Sequence, residues 1–378
     1  MCSFVNFRNL FKGKRVLVTG DSGFKGSWLS FWLHELGANV VGLSLPPNNA
    51  KDHYCAINLE ALIHHISCDI RELNDVADVF QNFQPEFLFH LAAQPLVRES
   101  YINPVKTYQT NVLGTLNLLE GLRLLEKSCT AVLITSDKSY KNVEWVWGYR
   151  ENDALGGPDP YSASKGAAEM VISSHVKSFF PKNGNVRIAV GRAGNVIGGG
   201  DWANDRIIPD CVRSWSKEKS VLLRNPQSIR PWQHVLEPIS GMLWLSTKMY
   251  QGEKSMDEAW NLGPDNSNKF FSVKDIVELI LSRWKCKSGI KIINNMDEPF
   301  ESKILQIDPS KANDILEWKN VYSVEEAITE TVSWYKTFIE DPEIIEKATR
   351  CLGLLIVYQP RGTSRPINQT YLEPSLLE

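Results

Sequence analysis

No stretch of the sequence is long and apolar enough to cross a bilayer. The run CLGLLIVY at 351–358 is far shorter than the ~20 residues a spanning helix needs. The N-terminal residues MCSFVNFRNLFKGKR lack the continuous apolar stretch and small-residue cleavage site of a secretory signal. Lysines and arginines form no block that could track a phosphate backbone. With 41 basic against 44 acidic residues, the net charge is only −3, so nucleic acid is not an expected partner. The seven cysteines, at 2, 55, 68, 129, 211, 286 and 351, include no CxxC pair and have no histidine at zinc-ligand spacing. That excludes a disulfide framework and gives no indication of a metal site. Asn368-Gln369-Thr370 has the form of a glycosylation acceptor, but no export signal accompanies it. Repeats and low-complexity linkers are missing as well. The expectation is a soluble protein of the reducing cytoplasm, without a membrane partner.

What is present is a length of 378 residues, 43% of them hydrophobic and 22% charged, which suits one large core with a smaller lobe beside it. From Arg15 the order is RVLVTG, a glycine-containing turn, WLSFWLHELG with apolar residues at helical spacing, then NVVGLSL. That is strand, turn, helix and strand in roughly thirty residues, a βαβ unit. Further strands are expected at 62–69, 87–93, 131–136 and 186–192, with helices at 104–126 and 161–179 among them. Such alternation specifies an α/β fold with a doubly wound parallel sheet of Rossmann type. After Gly191 the pattern changes to GRAGNVIGGGDWANDRIIPD, and α/β alternation stops. The expected division is a dinucleotide-binding domain at 1–192, to which 233–250 returns, an interleaved substrate-binding lobe at 193–340, and an extension at 341–378. The lobe is read as helices with a strand at KIINN, and the two parts as enclosing a cleft.

Gly20, Gly23 and Gly26 stand in TGDSGFKG, between the first strand and the first helix. Glycines there let the backbone turn tightly and approach a pyrophosphate, which sits on the free N–H groups and positive dipole end of the helix. The context makes this a dinucleotide site rather than an ordinary turn. One expected part is missing. The second strand should end in an acid for the adenosine ribose, but NVVGLSLPP offers only Ser44, with no arginine beside it for a 2′-phosphate. The choice between NAD and NADP is therefore weakly encoded, and the hold on the ribose is expected to be loose.

Tyr161 and Lys165, in YSASK, lie at i and i+4 and share a helix face. Asp159 and Pro160 before them suit a helix start. With the G-x-x-G-x-x-G turn and Ser136 at the end of the fifth strand, the set resembles the short-chain dehydrogenase/reductase superfamily. The chemistry accounts for the residue types. A base must take a hydroxyl proton as hydride leaves, and a tyrosine of ordinary pKa ~10 can do so only if a nearby cation favours the phenolate. Lys165 can supply that cation, and Ser136 can hold the alcohol oxygen in line.

A narrower resemblance covers roughly residues 7–340. The run TSDKSYKNVEWVWGYRENDALGGPDPYSASKGAAE, together with VTGDSGFKGSWL, GRAGNVIGGGDWANDRIIPD and RPWQHVLEP, is similar to the CDP-glucose 4,6-dehydratase family of nucleotide-sugar dehydratases. The resemblance implies NAD as cofactor, CDP-glucose as substrate and CDP-4-keto-6-deoxyglucose as product, a precursor of deoxysugars in bacterial surface polysaccharides such as lipopolysaccharide O-antigen. It also implies a homodimer or homotetramer formed through the helices at 104–126 and 161–179. Carried onto this chain, it gives Gly20, Gly23, Phe24, Gly26, Ser44, Asp69, Ile70, Ala92, Ala93, Tyr161 and Lys165 contact with the cofactor. Ser136, Asp137, Lys138, Tyr161 and Lys165 would carry the chemistry, and Gln94, Asn195, Arg206, Arg230 and His234 would hold the substrate. Tyr161 would take the C4 hydroxyl proton, and Asp137, kept protonated by burial, would protonate the departing C6 hydroxyl.

Lys138 stands where the related dTDP-glucose enzymes carry a glutamate that removes the C5 proton. A lysine, of ordinary pKa ~10.4, is a base only when desolvation or a neighbouring cation depresses it. It can instead stabilise the enolate while Tyr161 or a water accepts the proton. Two other readings use the same residues: a nucleotide-sugar epimerase or reductase, which has no need of a C6 acid, and a dinucleotide-binding protein without catalysis. Asp137 discriminates against the first, and the intact Ser136, Tyr161 and Lys165 set against the second.

Overall fold

The computed structural model describes residues 10–182, 184–264, 270–293 and 302–350. The extension from 351 onward, with its apolar run and Asn368, lies outside the described residues, as do the first nine residues and the end of KIINN.

The β-branched and leucine-rich runs form strands because both faces can be buried between helices. They are β1 (Arg15–Thr19), β2 (Asn39–Ser44), β3 (His64–Ser67), β4 (Phe87–His90), β5 (Cys129–Ile134), β6 (Val186–Ala193) and, after two-residue β7 (Val196–Ile197), β8 (Val221–Leu223) and β9 (Gln233–His234), also β10 (Ala259–Leu262). Seven of them make one sheet in the order β10-β6-β5-β4-β1-β2-β3. Every pairing in it is parallel. Alternation along β1 sends Val16 and Val18 to one face and Leu17 to the other, each into its own apolar cluster. Helices α1 (Phe24–Glu35) and, later, Leu236–Tyr250 cover the first face. The other face is covered by α2 (Leu73–Phe83), α3 (Gly114–Arg123) and α4 (Pro160–Phe179). This is the doubly wound α/β sheet the sequence predicts.

The expected helix at 104–126 runs without interruption from Pro104 to Arg123, with a π-helical turn at Gln109–Leu113 leading into α3. The sheet also takes its outermost strand, β10, from the stretch assigned to the second lobe. Trp260 on that strand is completely buried. The signal was hidden because AWNL is only four residues long and carries no period that distinguishes strand from loop. The second lobe holds α5 (Ile207–Trp215), α7 (Val273–Trp284) and α8 (Val324–Glu340), while α6 (Leu236–Tyr250) returns to pack on the main sheet. Ser272 and Ser323 start α7 and α8 with capping boxes. Two small parallel pairs, β8 with β11 (Ile290–Ile292) and β7 with β9, complete it. Because the main sheet is all parallel, Gly20, Ser44, Asp69, Ala92, Ser136 and Asn195 all follow strands on the same edge.

Candidate active site

The glycine turn is dictated by backbone contacts. Gly20 has φ +76°, and a Cβ there would lie 2.7 Å from the backbone nitrogen of Ala92, at the end of β4. A Cβ on Gly26 would lie 1.9 Å from the Gly20 carbonyl oxygen. Only glycine lets these two segments cross. Gly23 caps α1 without any side-chain bond, and no acid occupies the first turn, so the N–H groups at that end are left for an anion. Asp21, in the same turn, points away: it is fully buried, its Oδ2 lies 2.7 Å from His65 Nδ1, and the room for it comes from Gly42 on β2. The cradle fits the pyrophosphate of NAD.

Along the edge, Ser44 is tied to its neighbours, donating to Ser22 Oγ at 2.8 Å or to the Leu45 carbonyl at 3.0 Å. A pair of hydroxyls thus stands where a carboxylate would grip the ribose. Asp69 is engaged by Arg71 at 2.9 Å, which holds its carboxyl below the usual range. Ile70 is buried, and its carbonyl accepts from Asn117 at 2.9 Å. Ala92 donates its N–H to Thr19 Oγ1, and Ala93 follows it, half-buried.

A cleft of about 300 Å³ opens beside this edge, lined by Phe24, Lys25, Ser136, Asp137, Lys138, Tyr161, Asn195, Arg206 and Arg230 among others. Ser136 ends the β5 segment as the cap of a short 3₁₀ turn, Asp137–Ser139, and accepts from the Lys138 N–H at 3.2 Å. That turn folds Asp137 inward, leaving it 2% exposed. Its Oδ1 accepts from Ser136 Oγ at 2.9 Å, whereas Oδ2 is buried with no hydrogen-bond partner among the described residues. Burial raises the Asp137 pKa, against the opposing pull of Lys138, the Ser136 hydroxyl and Arg230. Burial therefore favours the protonated form of this carboxyl over the charged one.

Tyr161 and Lys165 arise from the start of α4, where Asp159 caps the helix by accepting from the Ser162 N–H at 3.0 Å and Pro160 fills the first position. Burial pushes the Tyr161 phenol up to about 12, with the Ser136 hydroxyl bonded to it and Arg206 pulling down and Asp137 and Asp159 pushing up. Lys165 is lowered to about 7 by burial and then by the Lys25 ammonium, while Glu169 supports its charge. Burial first, and the neighbouring Lys25 second, thus weaken the hold of Lys165 on the charge that the sequence pattern assigns to it.

Lys25 escaped the sequence reading. It stands between the last two glycines, and burial, then Arg206, lower it to about 8 against the attraction of Asp137 and Asp201. A cation in the first turn of a helix opposes the dipole, and that was the available signal. Asn111 was missed too. It is buried within the π turn, where it takes the Gln94 N–H at 2.8 Å and donates to the Gln94 carbonyl at 3.1 Å and to Ser164 Oγ at 2.9 Å. It thereby fastens the end of β4 to the helix that carries Tyr161; an asparagine inside an amphipathic helix was its only trace.

The substrate candidates divide. Asn195, Arg206 and Arg230 reach the cleft. Arg206 pairs with Asp201 at 2.9 Å, and Arg230 donates to the carbonyls of Ile229 at 2.8 Å and Ser302 at 2.6 Å. Asp205, also on the cleft, sits between Arg98 at 3.7 Å and Arg224 at 3.0 Å, one from each side of the opening. Gln94 is turned away: its amide bonds Leu96 and Thr107 and shapes the loop whose next residues, Pro95 and Leu96, line the cleft. His234 is 1% exposed in the core beside Trp28 and Tyr322, and burial lowers it to about 3. The structure brings neither side chain to the substrate space, for β9 faces the core and the Gln94 amide is used locally. No group of three or more metal-ligating side chains occurs among the described residues.

The chain is similar to known proteins in both sequence and fold. The family model described as GDP-mannose 4,6 dehydratase matches residues 17–331. A curated protein of Salmonella typhimurium named CDP-glucose 4,6-dehydratase is 44% identical over 342 residues, covering 89% of this chain and 95% of that one. Among solved structures, a UDP-glucose 4-epimerase of Thermotoga maritima, bound to UDP-glucose, superposes with a TM-score of 0.75 at 21% identity, covering 86% and 99% of the two chains. A dTDP-glucose 4,6-dehydratase of Bacillus anthracis in complex with NAD gives 0.71 at 21% identity, covering 88% and 100%.

Proposed function

The chain belongs to the GDP-mannose 4,6 dehydratase family, and on that premise we propose that it removes water from CDP-glucose to give CDP-4-keto-6-deoxyglucose. The observation that carries the reading is Asp137: a carboxyl 2% exposed, with one oxygen unpartnered, beside Ser136 and Tyr161 on the cleft. An epimerase has no use for an acid there. The choice of CDP-glucose is supported by the name of the Salmonella typhimurium relative at 44% identity.

NAD, held on the Gly20–Gly26 cradle with Ser44 and the ends of β3 and β4 beside it, would supply an acceptor for the C4 hydride that would give it back at C6 once water has left, with C5 regaining a proton from the group that took it, so that no net redox change remains. The chain's own residues do the proton work. Tyr161, aligned by Ser136 and aided by Lys165, takes the C4 hydroxyl proton. The ketone acidifies C5–H. Lys138 either stabilises the resulting enolate as an ammonium or, deprotonated, takes the C5 proton itself. Asp137 Oδ2 gives its proton to the C6 hydroxyl, which leaves as water. Arg206 and Arg230 bind the diphosphate, since a guanidinium fork matches phosphate oxygens, and Asn195 contacts the sugar side.

The same reading makes the enzyme cytoplasmic, in keeping with free thiols at Cys55, Cys68, Cys129, Cys211 and Cys286 among the described residues. It also makes it a homodimer or homotetramer. Val105, Leu113, Met170 and Phe179, exposed apolar residues on the helical face at 104–113 and 161–179, support a second copy as the partner.

The test is incubation of the NAD-supplemented protein with CDP-glucose, dTDP-glucose, UDP-glucose and GDP-mannose, followed by mass spectrometry. Loss of one water from CDP-glucose is the expected result. An unchanged mass with a changed configuration at C4 would replace the reading by an epimerase, and no reaction with any of the four would end it. Lys138→Met settles the C5 step: C5 hydrogen exchange at the parent rate would remove Lys138 from it.

A further inference from the structure

Behind the site lies a second charged cluster that no step above uses. Glu169 and Arg192 form an ion pair in which both side chains are only 4% exposed. Arg192 Nε donates to Glu169 at 2.8 and 3.0 Å, with a further bond from Nη2. Its other nitrogen donates to Tyr140 Oη at 2.7 Å, and Tyr140 in turn donates to Asn261 on β10 at 2.6 Å. Thr135 Oγ1 donates to Glu169 at 2.6 Å. A buried pair of this kind is a poor device for stability, since apolar replacements of similar volume are often neutral or better. Its place in the fold suggests another use. Glu169 follows Tyr161 and Lys165 at successive four-residue steps on one face of α4, and Thr135 immediately precedes Ser136.

We propose that Glu169, clamped by Arg192, is a positioning residue: it holds the Tyr161–Lys165 helix against the strand end that carries Ser136 and keeps a negative charge one turn behind the Lys165 ammonium. The inference rests on Tyr161 as the proton acceptor. Around Lys165, Lys25 from α1 disfavours its charge and Glu169 favours it, while His90 on β4 is itself lowered by burial and by Lys165. Around Tyr161 stand Ser136, Asp137, Arg206 and Asp159. Glu169 is the anion that supports the charge of Lys165. Without it Lys165 releases its proton more readily, less ammonium faces the phenol, and Tyr161 ionises at a higher pH.

The experiment uses Glu169→Gln, which keeps an acceptor for Arg192 and Thr135 but removes the charge, on the NAD-supplemented enzyme. The acid limb of the kcat profile moves up by about one pH unit, so kcat near neutrality falls about tenfold with KM nearly unchanged. Tyrosinate absorbance, with Tyr161 isolated by subtracting the Tyr161→Phe protein in each background, moves the same way with no substrate present. Glu169→Asp restores the position of the limb. Thr135→Val lowers kcat and leaves the limb in place. If Glu169→Gln does not fold, the double variant Glu169→Gln with Arg192→Met, which leaves no unpaired buried charge, carries the same two readouts. A uniform loss of rate at every pH with an unmoved tyrosinate midpoint overturns the proposal. Because the titration needs no turnover, a wild-type protein inactive on CDP-glucose overturns the functional reading and leaves the titration to decide this one.

Discussion

The two walls of the cleft are built in different ways. On the cofactor side the shape belongs to the backbone: Gly20 and Gly26 admit a crossing that any Cβ would block, and the end of α1 is left uncapped. On the sugar side the shape belongs to side chains, with Asp137, Tyr161, Lys165 and Arg230 all buried and each altering the protonation or charge of a neighbour. A backbone site tolerates almost no substitution but is electrically simple. A side-chain site can be edited one function at a time, at the cost of strong coupling among its members.

Substitutions on each wall test that contrast. Gly26→Val is expected to have the largest effect. A side chain 1.9 Å from the Gly20 carbonyl must displace the turn, so cofactor binding by calorimetry and all turnover should disappear. Retained cofactor binding would mean that the turn is softer than its contacts imply. Tyr161→Phe leaves the cradle intact and should lower kcat by roughly a thousandfold while cofactor affinity stays within twofold, separating the two walls cleanly. Ser44→Asp restores an acid at the end of β2 and should tighten NAD by about fivefold, the scale of one added hydrogen bond. No gain would show that the Ser22–Ser44 hydroxyl pair already serves the ribose. The smallest effect is on stability. Because burial raises the folded pKa of Asp137, this group's stabilising share is full below the ordinary carboxylate pKa and lost as pH rises through the folded value. Asp137→Asn should therefore melt about 1–2 °C higher than the parent at pH 8, with the gap closing on acidification, even as dehydration is lost.

The legibility of the two walls followed from their construction. Glycines at fixed spacing after a strand, and YSASK after a helix start, are local patterns, and the sheet, the turn and the Tyr161–Lys165 pair were all readable from them. Long-range partners were not. Lys25 was hidden inside the very motif that identified the cradle, because its importance depends on Arg206 and Asp201 nearly two hundred positions away. Arg192 reads as one more residue of a strand until Glu169 comes to meet it. His234 is the opposite case: a histidine beside arginine and tryptophan reads equally well as a cleft residue or a packing one, and β9 turns it into the core. The strand β10 was too short to show a period.

One detail beneath the cradle constrains which sequences can follow this one. Gly42 makes room for the buried Asp21 carboxylate, and a methyl group there would lie 2.1 Å from Asp21 Oδ2. The two positions are therefore not independent steps in a mutational path. Shortening Asp21 first leaves a void and a lone His65 but no collision, after which a side chain at 42 can enter. The reverse order begins with a clash against a buried carboxyl already bonded to His65, so one route between the two sequences is open and the other closed.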